Sequence, residues 1–585
     1  MPDVRETGPA PRIAVSETST RLNRTGSWKY IRPRYRDAVA PCNAGCPTGV
    51  DIEGYMNLLR EGRPADALSL LLRENPMPAI TGRVCHHPCE TACNRAGFDE
   101  PVAVHLVERA LGDEILASPP PELVRTRAER VAVIGSGPAG LACAYHLARQ
   151  GYGVTVFEEA AEAGGMLRLG IPPYRLPREV LDSQIEWFRA AGIEIRCGTR
   201  VDGEAGRSLL AEYSAVFIAT GAHRGRPLGA VGEDGPGVVA GLAFLKAVNG
   251  GDRPEIGEHV VVVGGGNTAM DCARTALRLG AGATVVYRRT RQEMPAIAAE
   301  IEEAIREGVA FEFLANPRAF HHVDGRLAGV ECDRMELGEP DASGRRRPVV
   351  SAHGAFSIVA DTAFTAIGED ADLDALPGDV PVARGGVSID ELGGTAAGRV
   401  FAGGDVANVE RTVADALGSG KAAAIGIDRA LRSAAGEVFA ADGIADLRWA
   451  GGNVSMSRWR GDDPVSRTDA VNEVVPVGAL NMAHFQHVPR HEEHVAGTGD
   501  PARALDFAEV NRGLLPEEAR AEACRCFNCA VCNQCELCLI FCPDVAISRD
   551  PDGAGFEIDL DYCKGCGVCA VECPRGAIVM TREGL

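Results

Sequence analysis

The chain has 585 residues, of which 45% are hydrophobic, and a formal net charge of −21. This length allows roughly three to five domains with sizeable cores. The acidic charge argues against nucleic acid as a partner, and no apolar run approaches the ~18 residues needed to span a bilayer. The first residues lack the hydrophobic segment of a signal peptide, so we expect a cytoplasmic protein.

Cysteines are concentrated in two parts of this sequence. Five of the twenty lie between residues 42 and 93, and eleven lie between residues 524 and 573. In a chain expected in the cytoplasm, cysteines grouped at metal-ligand spacing indicate metal sites rather than disulfides. The other four stand alone and are expected to be small buried hydrophobic residues: Cys143, Cys197, Cys272 and Cys332.

The chain before residue 128 divides into an arm and a helical domain. Residues 1–40 are polar and rich in Arg, Thr and Pro, which predicts an extended arm. Residues 41–127 form a predicted helical iron–sulfur domain, because apolar residues recur at helical spacing over 54–72 and 104–116.

A dinucleotide-binding fingerprint begins at residue 131. A predicted strand at 131–134 ends in a glycine-rich turn, a helix follows, and a second strand at 154–157 ends in an acid. Such a turn places a pyrophosphate on the helix N-terminus, where free N–H groups attract an anion, and the acid accepts the ribose hydroxyls. The residues are Gly135, Ser136, Gly137, Pro138, Ala139, Gly140 and Glu158. Within them we expect Gly135 to permit the turn, Gly137 the approach of the phosphates, and Gly140 close helix packing.

A second fingerprint lies inside the first domain. A strand at 260–263, a glycine-rich turn, a helix to Leu279 and a strand at 283–287 follow in order, with turn residues Gly264, Gly265, Gly266, Asn267, Thr268 and Ala269. This predicts one dinucleotide domain over 256–368, inserted into another that comprises 128–255 and 369–435. Arg288 and Arg289 follow the last strand, where arginines suit the 2′-phosphate of NADP and a carboxylate would suit NAD. They favour NADP, and the alternative is a solvated basic patch that accepts either nucleotide.

The two nested fingerprints resemble the flavoprotein reductases with two dinucleotide domains. That resemblance implies FAD in the first site and NAD(P)H in the second, with further FAD contacts at Gly221, Gly404 and Asp405. It also implies a helix that starts near Thr412 and Val413 and aims its N-terminus at the flavin ring. No CxxC pair lies between residues 94 and 523, so electrons should leave the flavin through the iron–sulfur cysteines.

The last domain, 524–585, follows a partly helical linker over 436–523 and contains a repeated motif. The spacing C-x2-C-x2-C-x3-C-P occurs twice, which is the pattern of a bacterial ferredoxin with two 4Fe-4S clusters. Because the fourth cysteine of each run serves the other cluster, one cluster takes Cys532, Cys535, Cys538 and Cys573, and the other takes Cys563, Cys566, Cys569 and Cys542. Cys524, Cys526 and Cys529 precede the repeat, and they either shift its register or bind something further.

The N-terminal cysteines are spaced Cys42-x3-Cys46 and Cys85-x3-Cys89-x3-Cys93. With the signatures at 82–84, 164–166, 170–177 and 294–296, residues 40–435 resemble the small subunit of glutamate synthase, which implies FAD contacts from Gly165, Leu167 and Arg175. Relatives with two N-terminal clusters have additional cysteines before the position of Cys42, and this chain has none there. We therefore expect one cluster on Cys46, Cys85 and Cys89, with Cys93, Cys42 or Glu108 as the fourth ligand.

The phrase TGSWKYIRP at residues 25–33, with the ferredoxin repeat, resembles the delta subunit of 2-oxoacid oxidoreductases. We expect an α/β protein with two nested Rossmann-like domains, an N-terminal helical iron–sulfur domain and a C-terminal α+β ferredoxin domain. It should be an electron-transfer subunit that uses FAD, NADP or NAD and 4Fe-4S clusters, two of them C-terminal and one N-terminal. No acid–base or nucleophilic group for a small substrate is evident, so the carbon chemistry should belong to a partner subunit. The resemblance to the delta subunit implies that this partner is the catalytic subunit of a 2-oxoacid oxidoreductase. The alternatives are a glutamate synthase small subunit, a free-standing NAD(P)H:ferredoxin or metal reductase, and a non-enzymatic iron–sulfur scaffold.

Overall fold

The computed structural model describes residues 26, 30–341, 344–373, 376, 379–407, 410–439, 443–444, 447–448, 450, 452–462, 473–496, 506–550 and 555–582. Most of the predicted arm, including Thr25 and 27–29 of the TGSW phrase, lies outside these residues. None of the described helices combines the length and the apolar character needed to cross a membrane.

The N-terminal domain is helical, as predicted. After strand β1 (Ile31–Tyr35) at the end of the arm, its elements are α1 (Pro41–Gly45), α2 (Ile52–Arg60), α3 (Pro64–Leu72), α4 (Pro78–Val84), α5 (Pro88–Thr91) and α6 (Val104–Leu116). The helical pattern over 54–72 is broken in two, because Gly62 has a φ of 77° and Pro64 begins α3. Helix α6 has the predicted bounds.

The first dinucleotide domain follows with alternating strands and helices: β2 (Arg130–Ile134), α7 (Pro138–Arg149), β3 (Gly153–Phe157), α8 (Met166–Leu169), α9 (Arg178–Ala190), β4 (Glu194–Arg196), α10 (Gly203–Glu212), β5 (Ala215–Ile218) and β6 (Ala222–Gly225). Strand β2 is buried along most of its length, as expected for a central parallel strand.

The second dinucleotide domain contains β7 (Val238–Ala240), α11 (Gly241–Asn249), β8 (His259–Val263), α12 (Asn267–Arg278), β9 (Gly282–Tyr287), α13 (Ala298–Glu307), β10 (Ala310–Phe313), β11 (Ala315–Val323), β12 (Arg326–Pro340), β13 (Arg346–Val359) and β14 (Thr362–Thr365). Its parallel sheet has the order β10-β9-β8-β14-β7, and β11–β13 form an antiparallel meander. Because β7 pairs with β14, this domain begins before residue 256, and the predicted boundary is corrected to precede β7.

The chain then returns to the first domain through β15 (Glu369–Ala371), β16 (Val382–Ala383), β17 (Gly386–Val387), β18 (Val400–Ala402) and α14 (Val413–Ala434). Strand β18 completes a parallel sheet of order β18-β5-β2-β3-β4. The core of this domain also contains Met77, Ile80 and Val84 of α4. The N-terminal helical domain therefore shares a hydrophobic core with the first dinucleotide domain.

The last elements are α15 (Met456–Arg460), α16 (Pro516–Cys524), α17 (Leu537–Ile540), β19 (Ile547–Arg549), β20 (Phe556–Ile558), α18 (Val568–Val571) and β21 (Ile578–Arg582). Strand β21 pairs antiparallel with β1, so the end of the predicted arm belongs to the ferredoxin fold. The described parts of the predicted linker pack on the rest of the protein: α16 lies against α2 and α6, and the backbone of Val475 bonds to that of Val39.

Candidate cofactor sites and the path between them

The two fingerprint turns open into one cavity of about 640 Å³. From the first domain it is lined by the turn at 135–139, by Glu158 and by the start of α14. From the second domain it is lined by Asn267 and Thr268 at the start of α12. A single cavity bounded by both helix N-termini suits a flavin and a nicotinamide that meet face to face.

The first glycine-rich turn has the geometry that its sequence predicts. Gly135 has a φ of 103°, and a Cβ atom on Gly140 would lie 1.9 Å from the Gly135 carbonyl oxygen. A Cβ atom on Gly137 would meet nothing within 4 Å, so the space in front of the α7 N-terminus is open. The turn therefore leaves room for a pyrophosphate where free N–H groups can bind it.

Glu158 closes the first site at the end of β3. Its carboxylate accepts hydrogen bonds from the Ser136 backbone N–H (2.9 Å), the Ser136 hydroxyl (2.5 Å) and the Ala160 N–H (2.9 Å). The Thr220 hydroxyl lines the same cavity and is buried without a partner among the described residues. A polar ligand such as the FAD ribose would satisfy that hydroxyl.

Helix α14 also begins at the cavity, as predicted. Thr412 caps it by accepting a hydrogen bond from the Asp415 N–H, and Thr412 and Val413 line the cavity. Gly404, with a φ of 70°, and Asp405 lie beside them, and burial raises the pKa of Asp405 to about 6, with Arg411 opposing the shift. Gly165, Leu167 and Gly221 line the cavity as well, so the predicted FAD contacts form one surface.

The second turn repeats the geometry of the first. Gly264 has a φ of 145°, and a Cβ atom on Gly266, which precedes α12, would meet nothing within 4 Å. Ala269 is fully buried in the position of the third glycine, and the Asn267 side chain accepts a hydrogen bond from the Ile297 N–H. These features suit a second nucleotide at the α12 N-terminus.

Two predicted arginine contacts need correction. The Arg289 side chain is buried, donating to the Arg346 carbonyl and to Asp341, so its charge faces the meander rather than the nucleotide. Arg175 lines the cavity, but its guanidinium forms ion pairs with Asp271 and Glu300 of the second domain. Arg288 is exposed at the end of β9 and stays a candidate for the 2′-phosphate.

The cavity also contains charged residues that the sequence motifs did not indicate. Lys246 of α11 lies 2.9 Å from the His223 ring, and burial lowers the pKa of both groups. Glu369, which begins β15, faces the same space, and burial raises its pKa. None of them belongs to a recognisable motif, because they are brought together from three separate elements.

Glu108, one of the three candidates for the fourth ligand of the N-terminal cluster, lies near the other three expected ligands. The buried Glu108 carboxylate of α6 interacts electrostatically with the thiols of Cys46, Cys85 and Cys89. It accepts hydrogen bonds from Asn75 (2.9 Å) and Thr81, and burial raises its pKa to about 7. Three thiols and one carboxylate are a suitable donor set for one 4Fe-4S cluster.

This cysteine group lies against the wall of the nucleotide cavity. Val84 and His86, on either side of Cys85, line that cavity. Lys421 of α14 is fully buried, pairs with Glu74 of the N-terminal domain at 2.5 Å, and donates to the carbonyl of Thr48, two residues from Cys46. Buried contacts therefore hold the cysteine group against the domain that carries the predicted flavin site.

The ferredoxin cysteines separate into the two groups that the motif predicts. One small cavity is lined by Cys532, Cys535, Cys538 and Cys573, and a second by Cys542, Cys563, Cys566 and Cys569. The Tyr35 hydroxyl of β1 forms a hydrogen bond with the Cys538 sulfur at 3.1 Å, and Pro33 lines the second cavity. The arm thus forms part of both cluster sites.

The thiols are more widely spaced than four sulfurs bound to one zinc ion would be. Four sulfurs around one zinc ion lie about 3.8 Å apart, since each Zn–S bond is about 2.3 Å. Among the described residues no three cysteine sulfurs all lie within 4.8 Å of one another.

Comparison with known protein families gives three matches along the chain. Residues 129–420 match the pyridine nucleotide-disulphide oxidoreductase family, residues 36–119 match dihydropyrimidine dehydrogenase domain II with its 4Fe-4S cluster, and residues 556–579 match a 4Fe-4S binding domain. The fold and sites thus define an NAD(P)H-dependent flavin and iron–sulfur oxidoreductase.

Curated relatives narrow this class. The NADP(+)-dependent formate dehydrogenase subunit beta of Moorella thermoacetica is 39% identical, over 84% of this chain and 70% of the relative. The NADPH-Fe(3+) oxidoreductase subunit beta of Geobacter sulfurreducens is 37% identical, over 84% and 75%. The glutamate synthase [NADPH] small chain of Escherichia coli is 35% identical, over 66% and 87%. The chain belongs to the glutamate synthase small-subunit-like family of FAD- and iron–sulfur-dependent oxidoreductases.

Proposed function

We propose that this chain carries electrons between NADP(H) and the catalytic subunit of a larger redox complex. The cavity shared by both nucleotide turns, with a cysteine group in its wall, is the observation that carries this proposal. When bound, FAD exchanges two electrons with a nicotinamide and single electrons with an iron–sulfur cluster.

The side chains supply position and field rather than acid–base chemistry. The N-termini of α7 and α12 hold the pyrophosphates, and Glu158 orients a ribose. The N-terminus of α14 directs its positive dipole into the cavity and favours negative charge on the flavin ring. Arg288 selects NADP by pairing with its 2′-phosphate.

We propose a 2-oxoacid oxidoreductase as the partner because the arm and the ferredoxin repeat form one fold. Strand β1, which contains the IRP of the arm phrase, pairs with β21, and the Gly26 N–H donates to the Asp561 carbonyl at 2.8 Å. This supports a delta-type ferredoxin split around an inserted reductase. The cysteines have metal-ligand spacing and are not joined in disulfides, which suits a reducing compartment, and we propose the cytoplasm.

A formate dehydrogenase catalytic subunit is the second candidate partner, favoured by the relative from Moorella thermoacetica. The test is purification of the tagged chain from its native host without oxygen, followed by NADP⁺ reduction assays with a 2-oxoacid plus coenzyme A, with formate, and with glutamate. NADP⁺ reduction with the 2-oxoacid and coenzyme A, but not with formate or glutamate, supports the first proposal. NADP⁺ reduction with formate assigns the partner to the second candidate. NADP⁺ reduction by the isolated chain, without a copurified subunit, contradicts both partner assignments.

A further inference from the structure

Two N-terminal cysteines lie beside two cysteines from the other end of the chain. Cys42 is in α1 and Cys93 follows α5, whereas Cys526 and Cys529 follow α16. Cys42, Cys93 and Cys526 pack against one apolar cluster, and Cys42 also packs against the neighbouring cluster that contains Cys529. The amide nitrogen of Asn94 lies 3.7 Å from the Cys529 sulfur. The four thiols therefore converge from both ends of the sequence.

These thiols are largely enclosed and interact with one another. Burial raises the pKa of Cys42 well above its usual range, and Cys526, Cys93 and Cys529 raise it further. Burial raises the pKa of Cys529 to about 12, and Cys93 adds to the shift. All four are free rather than joined in disulfides. Four neighbouring, largely enclosed thiols that form no disulfide are a donor set for a metal centre.

The Cys526–Cys529 loop has the backbone form of the two ferredoxin loops. Asn528 and Ala530, two and four residues after Cys526, have φ angles of 49° and 76°. The same positions after Cys532 and Cys563 are also left-handed, at Gln534 (58°), Glu536 (67°), Gly565 (68°) and Gly567 (82°). Non-glycine residues adopt this conformation at a cost, so its recurrence indicates a shared structural requirement.

In two of these loops the first left-handed residue also directs its N–H group at a sulfur. The Asn528 N–H donates to the Cys526 sulfur at 3.4 Å, and the Gly565 N–H donates to the Cys563 sulfur at the same distance. Hydrogen bonds to cluster sulfurs are one means by which proteins set cluster potentials. The Arg60 side chain donates to the Asn528 amide oxygen at 2.7 Å and holds this turn against α2.

We propose that Cys42, Cys93, Cys526 and Cys529 bind a further 4Fe-4S cluster, additional to the three that the motifs predict. Cys524 ends α16 with an exposed side chain and does not pack against the two apolar clusters that the four cysteines share, so it is left out of the site.

The site lies between the flavin-side cysteines and the ferredoxin fold. Cys42 lies in the short helix α1, which ends immediately before Cys46. At the other end of the chain, Cys529 lies three residues before Cys532. The backbone N–H of Ala530 donates to the carbonyl of Arg575, which is close in sequence to Cys573. The four cysteines therefore connect the cysteine group at the cavity wall with the C-terminal clusters.

The test is the iron, sulfide and zinc content of the full-length chain, purified without oxygen and normalised to FAD. We expect about sixteen irons per FAD, four for each of four clusters. The double variant Cys526→Ser, Cys529→Ser should retain about twelve irons per FAD. Cys524→Ser is the matched control and should keep the full content, since its side chain lies outside the site.

Pairing of the two ends is tested by combining variants. Cys42→Ser, Cys93→Ser alone should also retain about twelve irons, and the quadruple variant should again retain about twelve, because both pairs serve one cluster. About eight irons in the quadruple variant would assign the pairs to different clusters and overturn the proposal. About twelve irons in the wild type, with or without one zinc, would overturn it without any variant. Unchanged FAD content and thermal unfolding identify the variants that fold.

Discussion

The two cysteine regions of this protein differ in how their sites are assembled. The ferredoxin sites are built from two copies of a short motif, and their cysteines all lie within 532–573. The N-terminal group at the cavity wall takes Cys46, Cys85 and Cys89 together with Glu108 from a separate helix, α6. The proposed fourth site joins the two ends of the chain. Local repeats therefore specify the sites that face outwards, and tertiary packing specifies those near the flavin.

This difference has a structural consequence. The N-terminal domain shares its hydrophobic core with the first dinucleotide domain, and the buried Lys421–Glu74 pair crosses between them. The ferredoxin clusters instead have exposed ligands at Cys535 and Cys566 and exposed apolar neighbours at Phe541 and Val571. The N-terminal sites are therefore enclosed and the C-terminal sites are exposed, as the proposed transfer from the flavin to a partner requires.

The largest expected effect separates the two regions by function. Cys563→Ser combined with Cys566→Ser removes two ligands of one ferredoxin cluster. Electron exchange with the copurified catalytic subunit should be abolished, while NADPH should still bleach the flavin absorbance at the wild-type rate. Stopped-flow absorbance measures the flavin step, and Cys524→Ser is the control. Loss of the flavin step would mean that the ferredoxin region is not separable in function from the nucleotide domains.

The next prediction concerns the connection of the N-terminal domain to the flavin fold. Lys421→Met leaves the Glu74 carboxylate buried without its cation, which should lower the free energy of unfolding by about 3–5 kcal/mol. Urea unfolding of the FAD-loaded protein measures the change. Arg63→Met is the matched control, because its ion pair with Asp66 is exposed and should contribute little. Equal urea midpoints of unfolding for Lys421→Met and Arg63→Met would contradict the proposed role of the buried Lys421–Glu74 pair.

The smallest expected effect tests nucleotide choice. Arg288→Ala should raise the KM for NADPH roughly tenfold to a hundredfold, since a charge-assisted contact contributes about 1.5–3 kcal/mol. The KM for NADH should change little. Arg289→Ala should leave the KM for NADPH nearly unchanged, because Arg289 is engaged by Asp341. A larger effect from Arg289 than from Arg288 would reverse the correction made from the structure.

The sequence predicted the parts of the sites that depend on short motifs. The turns at Gly135 and Gly264, Glu158, the start of α14 at Val413 and the two ferredoxin groups all lie where the motifs indicate. Each of these features follows from a few consecutive residues whose geometry is locally determined.

The remaining features depend on contacts that no local pattern encodes. The same strand-end position holds Arg288 and Arg289, and only the packing of the meander shows that Arg289 turns away. Strand β7 pairs outside the domain to which the sequence assigned it. The convergence of Cys42 with Cys529 likewise depends on where α16 packs.

The most direct test of this account asks whether electrons reach the ferredoxin only through the N-terminal domain. Cys46→Ser combined with Cys85→Ser removes two thiols at the cavity wall. After addition of NADPH without oxygen, the flavin should be reduced, while low-temperature EPR should show no reduced ferredoxin clusters. Dithionite should then produce their signal, which establishes that those clusters are intact. A ferredoxin signal of wild-type intensity with NADPH alone would contradict the account, because electrons would then bypass the N-terminal cysteines.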